Sequence, residues 1–114
     1  MHDRGFLTTR IARAFRIYGV VQGVGFRPFV FRIAREHDLS GWVANDSDGV
    51  RIHVEGSEES LDSFARDLVA RAPGAAAIAQ IRVANAEPQA FATFSIELRC
   101  HAISVFHGRA CTFF

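Results

Sequence analysis

Residues 19–31 read G-V-V-Q-G-V-G-F-R-P-F-V-F, an apolar strand that leads through a glycine loop into an apolar helical segment. Glycine permits left-handed backbone conformations, in which successive N–H groups can point into one concavity. The helix that follows adds unpaired N–H donors and the positive end of its dipole. Arg27 carries a planar fork that can hold two oxygens of one phosphate group. The pattern therefore predicts an anion-binding loop between a strand and a helix.

Two well-known nucleotide-binding loops do not fit this spacing. A dinucleotide fingerprint that began at Gly23 would place its third glycine at position 28, where the chain has Pro28. The phosphate loop of nucleoside triphosphatases needs a lysine, and this chain contains none. The remaining alternative is a simple strand-to-helix turn, but Gln22 and Arg27 give the loop a polarity that a connector does not need.

The composition is typical of one globular domain. With 114 residues, of which 49% are hydrophobic and 22% charged, the chain can bury a single core. Its formal net charge is +1, which does not indicate a polyanion-binding protein. There is no apolar run of membrane-spanning length, and residues 1–9 lack the apolar stretch expected of a secretory signal. Cys100 and Cys111 form no Cys-x-x-Cys pair, so we expect neither a disulfide framework nor a metal site. Taken together, these observations make a cytoplasmic location the default expectation.

Hydrophobic periodicity predicts the order of the secondary-structure elements. The expected strands cover about residues 13–20, 41–45, 50–55, 79–84 and 94–98. The expected helices cover about residues 26–37 and, after an N-cap at Ser57, residues 58–71. This order predicts an α+β sandwich of the split βαβ type, in which two helices cover one face of an antiparallel sheet.

The second and third strands are expected to form a hairpin, because the turn signal N-D-S-D-G separates them. The third strand alternates apolar and polar residues, which are Val50, Ile52 and Val54 against Arg51, His53 and Glu55. This alternation predicts one buried and one wet face, with His53 as a solvated side chain. Asp46 and Asp48 in the turn resemble a calcium loop only weakly, because the spacing of its ligands is not met.

In this layout the glycine loop and the end of the second strand can lie side by side at one edge of the sheet. Asn45, the last residue of that strand, is then the best candidate to face an anion held by the loop and Arg27. Its carboxamide can accept a hydrogen bond from a water molecule and donate another to a phosphate oxygen. Asparagine is also an ordinary turn residue, so that alternative stays open.

No set of residues for general-acid or metal chemistry can be placed beside this loop from the sequence. The leaving group would then have to depart without a proton. The carboxylate of an acyl phosphate can do so, because the pKa of its conjugate acid is about 4. Such a reaction would depend on positioning and on neutralisation of charge.

Three motifs together resemble the acylphosphatase family: G-x-V-Q-G-V-G-F-R at 19–27, G-W-V-x-N at 41–45 and G-V-x-I-x-V-x-G at 49–56. Because Arg27 is followed by P-F-V, the chain looks still closer to the N-terminal acylphosphatase-like domain of the hydrogenase-maturation carbamoyltransferase. The resemblance covers about residues 12–98. Residues 1–11 are expected to be a flexible arm, and residues 99–114 are an unassigned tail.

The resemblance implies a ferredoxin-like βαββαβ fold and hydrolysis of a small acyl phosphate to a carboxylate and inorganic phosphate, with no metal or other cofactor. It also implies two catalytic residues, Arg27 to bind the phosphate and Asn45 to orient the water. The backbone N–H groups implied to hold the phosphate are those of Gln22, Gly23, Val24, Gly25, Phe26 and Arg27.

Carbamoyl phosphate is the specific substrate that the resemblance suggests, and hydrogenase-maturation proteins are the suggested docking partners. Nucleic acids and membranes are not expected as partners. The zinc motifs and nucleotide-using domains of the maturation enzyme are not found in this sequence, so the chain is expected to be truncated relative to it and not to transfer carbamoyl groups alone. The alternative function is a catalytically weak module that binds an anion or docks on a partner.

Overall fold

The computed structural model describes residues 10–99, in which five strands and two helices follow one another in the expected order. They are β1 (Ile11–Val20), α1 (Phe26–Glu36), β2 (Ser40–Asn45), β3 (Gly49–Gly56), α2 (Glu58–Ala70), β4 (Ala77–Ala86) and β5 (Phe94–Arg99). Most of the expected arm and tail, including both cysteines, lies outside the described residues. Within the described range no helix is long and apolar enough to cross a membrane.

The five strands form one sheet in the order β4-β1-β3-β2-β5. β1 pairs antiparallel with β3 and β4, and β2 pairs antiparallel with β3. β5, however, runs parallel to β2, so the sheet is mixed and not wholly antiparallel. The connection between β4 and β5 explains this arrangement. β4 ends at the same end of the sheet at which β2 begins, and residues 87–93 cross that end only. β5 therefore begins beside the start of β2 and runs in the same direction.

Both helices pack on the same face of the sheet, which confirms the α+β sandwich. Their buried residues are Phe26, Phe29, Val30, Ile33 and Ala34 in α1 and Leu61, Phe64 and Leu68 in α2. The N-cap predicted for α2 is also confirmed, because the Ser57 hydroxyl accepts a hydrogen bond from the Ser60 N–H at 3.2 Å. One apolar core thus fixes the helices relative to the sheet.

The opposite face of the sheet, which we call the outer face, is not open to water along the whole of β3. His53 and Glu55 are both fully buried, and His53 Nε2 lies 2.7 Å from Glu55 Oε2. The connection between β4 and β5 covers them, since Glu55 also accepts hydrogen bonds from the backbone N–H groups of Gln89 and Phe91. The prediction of a solvated His53 is therefore wrong, because alternation within one strand cannot show that a distant segment covers its polar residues.

Candidate active site

The loop between β1 and α1 depends on two glycines with left-handed backbones. Gly23 has a φ of 75° and Gly25 a φ of 80°. A Cβ atom at either position would meet no atom of the described residues within 4 Å. Glycine is therefore needed for its backbone conformation and not for lack of space, because L residues with side chains are strained at such φ values.

Two apolar residues between and after these glycines attach the loop to the core. Val24 is partly buried against the core, and Phe26 is 1% exposed. The ring of Phe26 also packs on that of Phe29, with centroids 5.5 Å apart. The loop backbone is thus held by burial on one side while Gly23 and Gly25 remain exposed.

The helix α1 begins directly after Gly25, a residue with no side chain to cap it. The N–H of Phe29 makes a bond of 3.2 Å to the oxygen of Gly25, and Pro28 before it has no N–H. The N–H groups of Phe26 and Arg27 therefore lie in the first turn, where a helix offers no intrahelical acceptor. The first turn also contains no acidic residue. This helix start is suited to a negatively charged group.

Gln22 joins the glycine loop to the turn between β2 and β3. Its Nε2 donates to the backbone oxygens of Asp46 and Gly49 at 2.5 and 2.8 Å. The loop and the end of the second strand are predicted to lie side by side, and these two hydrogen bonds connect the loop directly with the turn after that strand. The side chain of Gln22 is thus used within the protein, which leaves its backbone N–H as the group expected to bind phosphate.

The guanidinium of Arg27 lies against β5. Its Nη1 donates to the backbone oxygen of Glu97 at 2.9 Å. The pairing of β2 with β5 shifts at this level, since Ala44 pairs with Glu97 whereas Asn45 pairs with Arg99. Irregularities of this kind re-aim backbone groups and are frequent beside active sites. Arg27 is therefore held at the strand next to the one that carries Asn45.

Asn45 ends β2 on the face of the sheet that the helices cover. It pairs with Val50, which is fully buried in the core, and it is two residues from the buried Val43. Its Oδ1 is buried and has no hydrogen-bond partner among residues 10–99. A buried amide oxygen without a partner costs about 1–3 kcal/mol, so a bound water or ligand is its expected partner.

Asp46 lies on the outer face and binds two arginines. Its Oδ2 is 2.8 Å from Arg51 Nε and 2.9 Å from Arg16 Nη2, and its Oδ1 accepts from the Ser47 N–H at 2.8 Å. Burial alone would raise the pKa of Asp46, but the hydrogen bonds from Arg51 and Ser47 and the two positive charges hold it below its ordinary value. From the sequence, Asp46 is a turn residue with a weak resemblance to a calcium ligand, and its ion pairs are not predicted. The signal for them is that Arg16 and Arg51 occupy outer-face positions of adjacent strands, directly opposite each other.

All the residues expected at the site lie at one end of the molecule: the loop residues, the start of α1 and the end of β2. Their roles in catalysis and phosphate binding stay predictions. In the described part of the chain, no three His, Cys, Asp or Glu side chains are grouped so that they could hold a metal ion.

Known proteins similar to this chain include small acylphosphatases and much larger carbamoyltransferases. The family model for acylphosphatase matches residues 13–96. An acylphosphatase of Thermotoga maritima is 40% identical over 87 residues, which cover 75% of this chain and 96% of that protein. Carbamoyltransferase HypF2 of Cupriavidus necator is 52% identical over 66 residues, which cover 58% of this chain and 8% of that protein.

The fold is likewise found in a solved structure of the larger group. Full-length HypF, crystallised in a phosphate- and nucleotide-bound form, is 41% identical and superposes with a TM-score of 0.79. The match covers 82% of this chain and 12% of that one. These comparisons confirm the resemblance drawn from the motifs. The chain spans nearly the whole of the small relative but only about a tenth of the carbamoyltransferases.

Proposed function

This chain belongs to the acylphosphatase family, whose members hydrolyse acyl phosphates, and we propose that its own reaction takes place between the loop of residues 22–27 and Asn45. The phosphoryl group of the substrate would lie at the backbone N–H groups of the loop and of the start of α1. The guanidinium of Arg27 would bind two of its oxygens through charge-assisted hydrogen bonds. These donors would neutralise the charge that increases on the phosphoryl oxygens during the reaction.

Asn45 would supply the second half of the machinery. Its Oδ1 can accept a hydrogen bond from a water molecule, and its amide N–H can donate to a phosphoryl oxygen. The water oxygen forms a bond to phosphorus, and the bond between phosphorus and the acyl oxygen breaks. The electron pair of that bond leaves on the carboxylate, and the proton of the water passes to the phosphate product or to solvent. The carboxylate is a weak base, so no general acid is required.

One observation carries this proposal: the buried Oδ1 of Asn45, which has no partner within the described residues, lies in the strand beside the one that holds Arg27. A purely structural asparagine at the end of a strand would use its side chain in the turn that follows. In this turn the side-chain bonds come from Gln22, Asp46 and Arg51 instead. The oxygen of Asn45 is thus left for a molecule that is not part of this chain segment.

The proposed substrate is a small acyl phosphate, and carbamoyl phosphate is the specific candidate because the chain is similar to a carbamoyltransferase. Docking on hydrogenase-maturation proteins and a cytoplasmic location belong to the same proposal. The docking partner is proposed from the resemblance of residues 12–98 to one domain of that larger enzyme, and the location is the default expectation for a chain without an apolar run of membrane-spanning length.

The test is phosphate release from benzoyl phosphate and from carbamoyl phosphate by the full chain. Arg27→Ala should reduce the rate at least about 10²-fold, as expected for the loss of one preorganised donor. Arg32→Ala is the matched control, since Arg32 is an exposed arginine of the same helix. Equal rates for the wild type and Arg27→Ala would overturn the proposal.

A second candidate function is an anion-binding or docking module with little turnover. The bond from Arg27 to the Glu97 oxygen favours it, because a guanidinium held by the protein is less available to a substrate. This module would bind inorganic phosphate and release none from either acyl phosphate. Turnover that depends on Arg27 would exclude it.

A further inference from the structure

Asp46 is held between two arginines that would otherwise repel each other. Arg16 and Arg51 lie directly opposite each other on β1 and β3, and like charges in such a pair are destabilising. The Oδ2 of Asp46 bonds to both. The side chains of Arg16, Arg51 and Asp46 are only 20%, 12% and 14% exposed, respectively. Solvent therefore screens this cluster less than it screens a surface ion pair.

The side chain of Asp46 lies on the outer face, and that of Asn45 lies on the helix face. The side chains of successive residues in an extended chain point to opposite faces. If the pairing of β2 shifted by one residue, Asn45 would therefore point to the outer face and Asp46 to the helix face. Pairing with β5 does little to fix the register of β2 at Asn45, because the β2–β5 pairing shifts between Ala44 and Asn45. The regular pairing of β2 with β3 sets the register as far as Asn45 and Val50, and the arginine cluster adds a side-chain attachment at the next residue, where β2 has left the ladder.

The backbone of Asp46 is attached to the other half of the site. Its N–H donates to the Gly49 oxygen at 2.8 Å, which closes the turn. Its oxygen accepts from Nε2 of Gln22, the first residue of the expected phosphate loop. Asp46 is thus bonded to the arginines through its side chain and to the loop through its backbone, and it is adjacent to Asn45 in the chain.

We infer that Asp46 is a positioning residue for the proposed hydrolysis: clamped by Arg16 and Arg51, it sets the Asn45 carboxamide relative to the loop of residues 22–27. This inference rests on the proposed function. Asp46 itself touches neither phosphate nor water in the reaction. It acts through Asn45, so its loss should affect the chemical step more than the binding of phosphate.

Asp46→Asn keeps the size of the side chain and removes the charge that joins the two arginines. We expect it to lower kcat for benzoyl phosphate about 10-fold or more, as a displacement of a catalytic group does. The inhibition constant of inorganic phosphate, which reports on the loop and Arg27, should change much less than kcat, because the substitution leaves the loop backbone and Arg27 in place. Asp48→Asn is the control, because Asp48 is an exposed acid of the same turn with no hydrogen bond to any residue that the structure describes.

A second measurement does not need turnover. The side-chain 15N–1H signals of Asn45 should shift in Asp46→Asn and in the milder Arg16→Gln, and stay in place in Asp48→Asn. If the wild type releases no phosphate, the proposed function fails, while these signals still decide the positioning of Asn45. Unshifted Asn45 signals, or an unchanged kcat, would overturn the inference. So would an equal loss of kcat and of phosphate inhibition, since that is the result of general damage to the fold.

Discussion

Arg27 Nη1 and the backbone oxygen of Glu97 form a hydrogen bond of 2.9 Å between residues 70 positions apart in the chain. The bond connects the first turn of α1 with the last strand of the sheet. A neutral carbonyl is a weaker acceptor than a phosphate oxygen, to which hydrogen bonds are shorter and about twice as strong. A phosphate group at the proposed site could therefore compete with the Glu97 oxygen for the guanidinium, which otherwise stays bonded to β5.

Asn45→Ala separates activity from stability. We expect kcat to fall at least about 10²-fold, because the proposed reaction would lose the carboxamide that orients the water. The free energy of unfolding should fall by no more than about 1 kcal/mol, since the deleted oxygen has no partner within the described chain. Phosphate release and urea unfolding of the same preparation measure both. A large loss of stability with activity retained would show that Asn45 is structural.

Gly23→Ala and Gly25→Ala should each destabilise the protein by about 1–2 kcal/mol, because both backbones are left-handed. The distorted loop should also raise the inhibition constant of inorganic phosphate. Gly74→Ala is the matched control. A Cβ atom at Gly74 would likewise have no described atom within 4 Å, but the φ of Gly74 is not left-handed. Unchanged phosphate inhibition in both loop variants would exclude the loop as the phosphate site.

The pH dependence of stability should include a contribution from Glu55. Burial would raise its pKa, but hydrogen bonds from Gln89, His53 and Phe91 outweigh it and hold the pKa below the ordinary 4.5. A carboxyl whose pKa is lowered by folding contributes stability above its unfolded pKa, and this contribution is lost as the pH falls from about 4.5 through the folded pKa.

Glu55→Gln should therefore lower the free energy of unfolding at pH 7 by about 1–3 kcal/mol, because it weakens buried charge-assisted hydrogen bonds. It should also reduce the decline in stability below pH 4.5. Urea unfolding at pH 7 and at pH 3 provides the comparison, with the exposed Glu87→Gln as control. The same acid dependence in Glu55→Gln and in wild type would contradict the assignment.

The sequence predicts well what depends on neighbouring residues. The left-handed loop at Gly23 and Gly25 follows from local glycine chemistry, and the cap at Ser57 follows from a hydroxyl before an acidic first turn. The end of β2 at Asn45 follows from the turn signal N-D-S-D-G, whereas the catalytic role of Asn45 stays a prediction. All of these depend on only a few consecutive positions.

Contacts between distant segments could not be predicted in this way. The burial of His53 and Glu55 depends on a connection more than 30 residues away, whose backbone N–H groups leave no mark in the residue pattern. The Asp46 cluster depends on the register of β1 against β3, which places Arg16 opposite Arg51. Alternation identifies polar positions on a strand, but it does not reveal which other segment will cover or bind them.

The attachment of the β4–β5 connection to Glu55 has a consequence for the far end of the sheet. β5 enters the sheet a few residues after the backbone N–H groups that Glu55 holds, and Phe94 and Glu97 are on the order of 10 Å apart along it. The register in which β5 joins the sheet therefore determines the position of the Glu97 oxygen that binds Arg27. Lengthening the β4–β5 connection by one residue would move the Glu97 oxygen along the strand and away from Arg27. The need to keep this hydrogen bond, and not the solvent exposure of the connection, would therefore limit the insertions that the protein tolerates there.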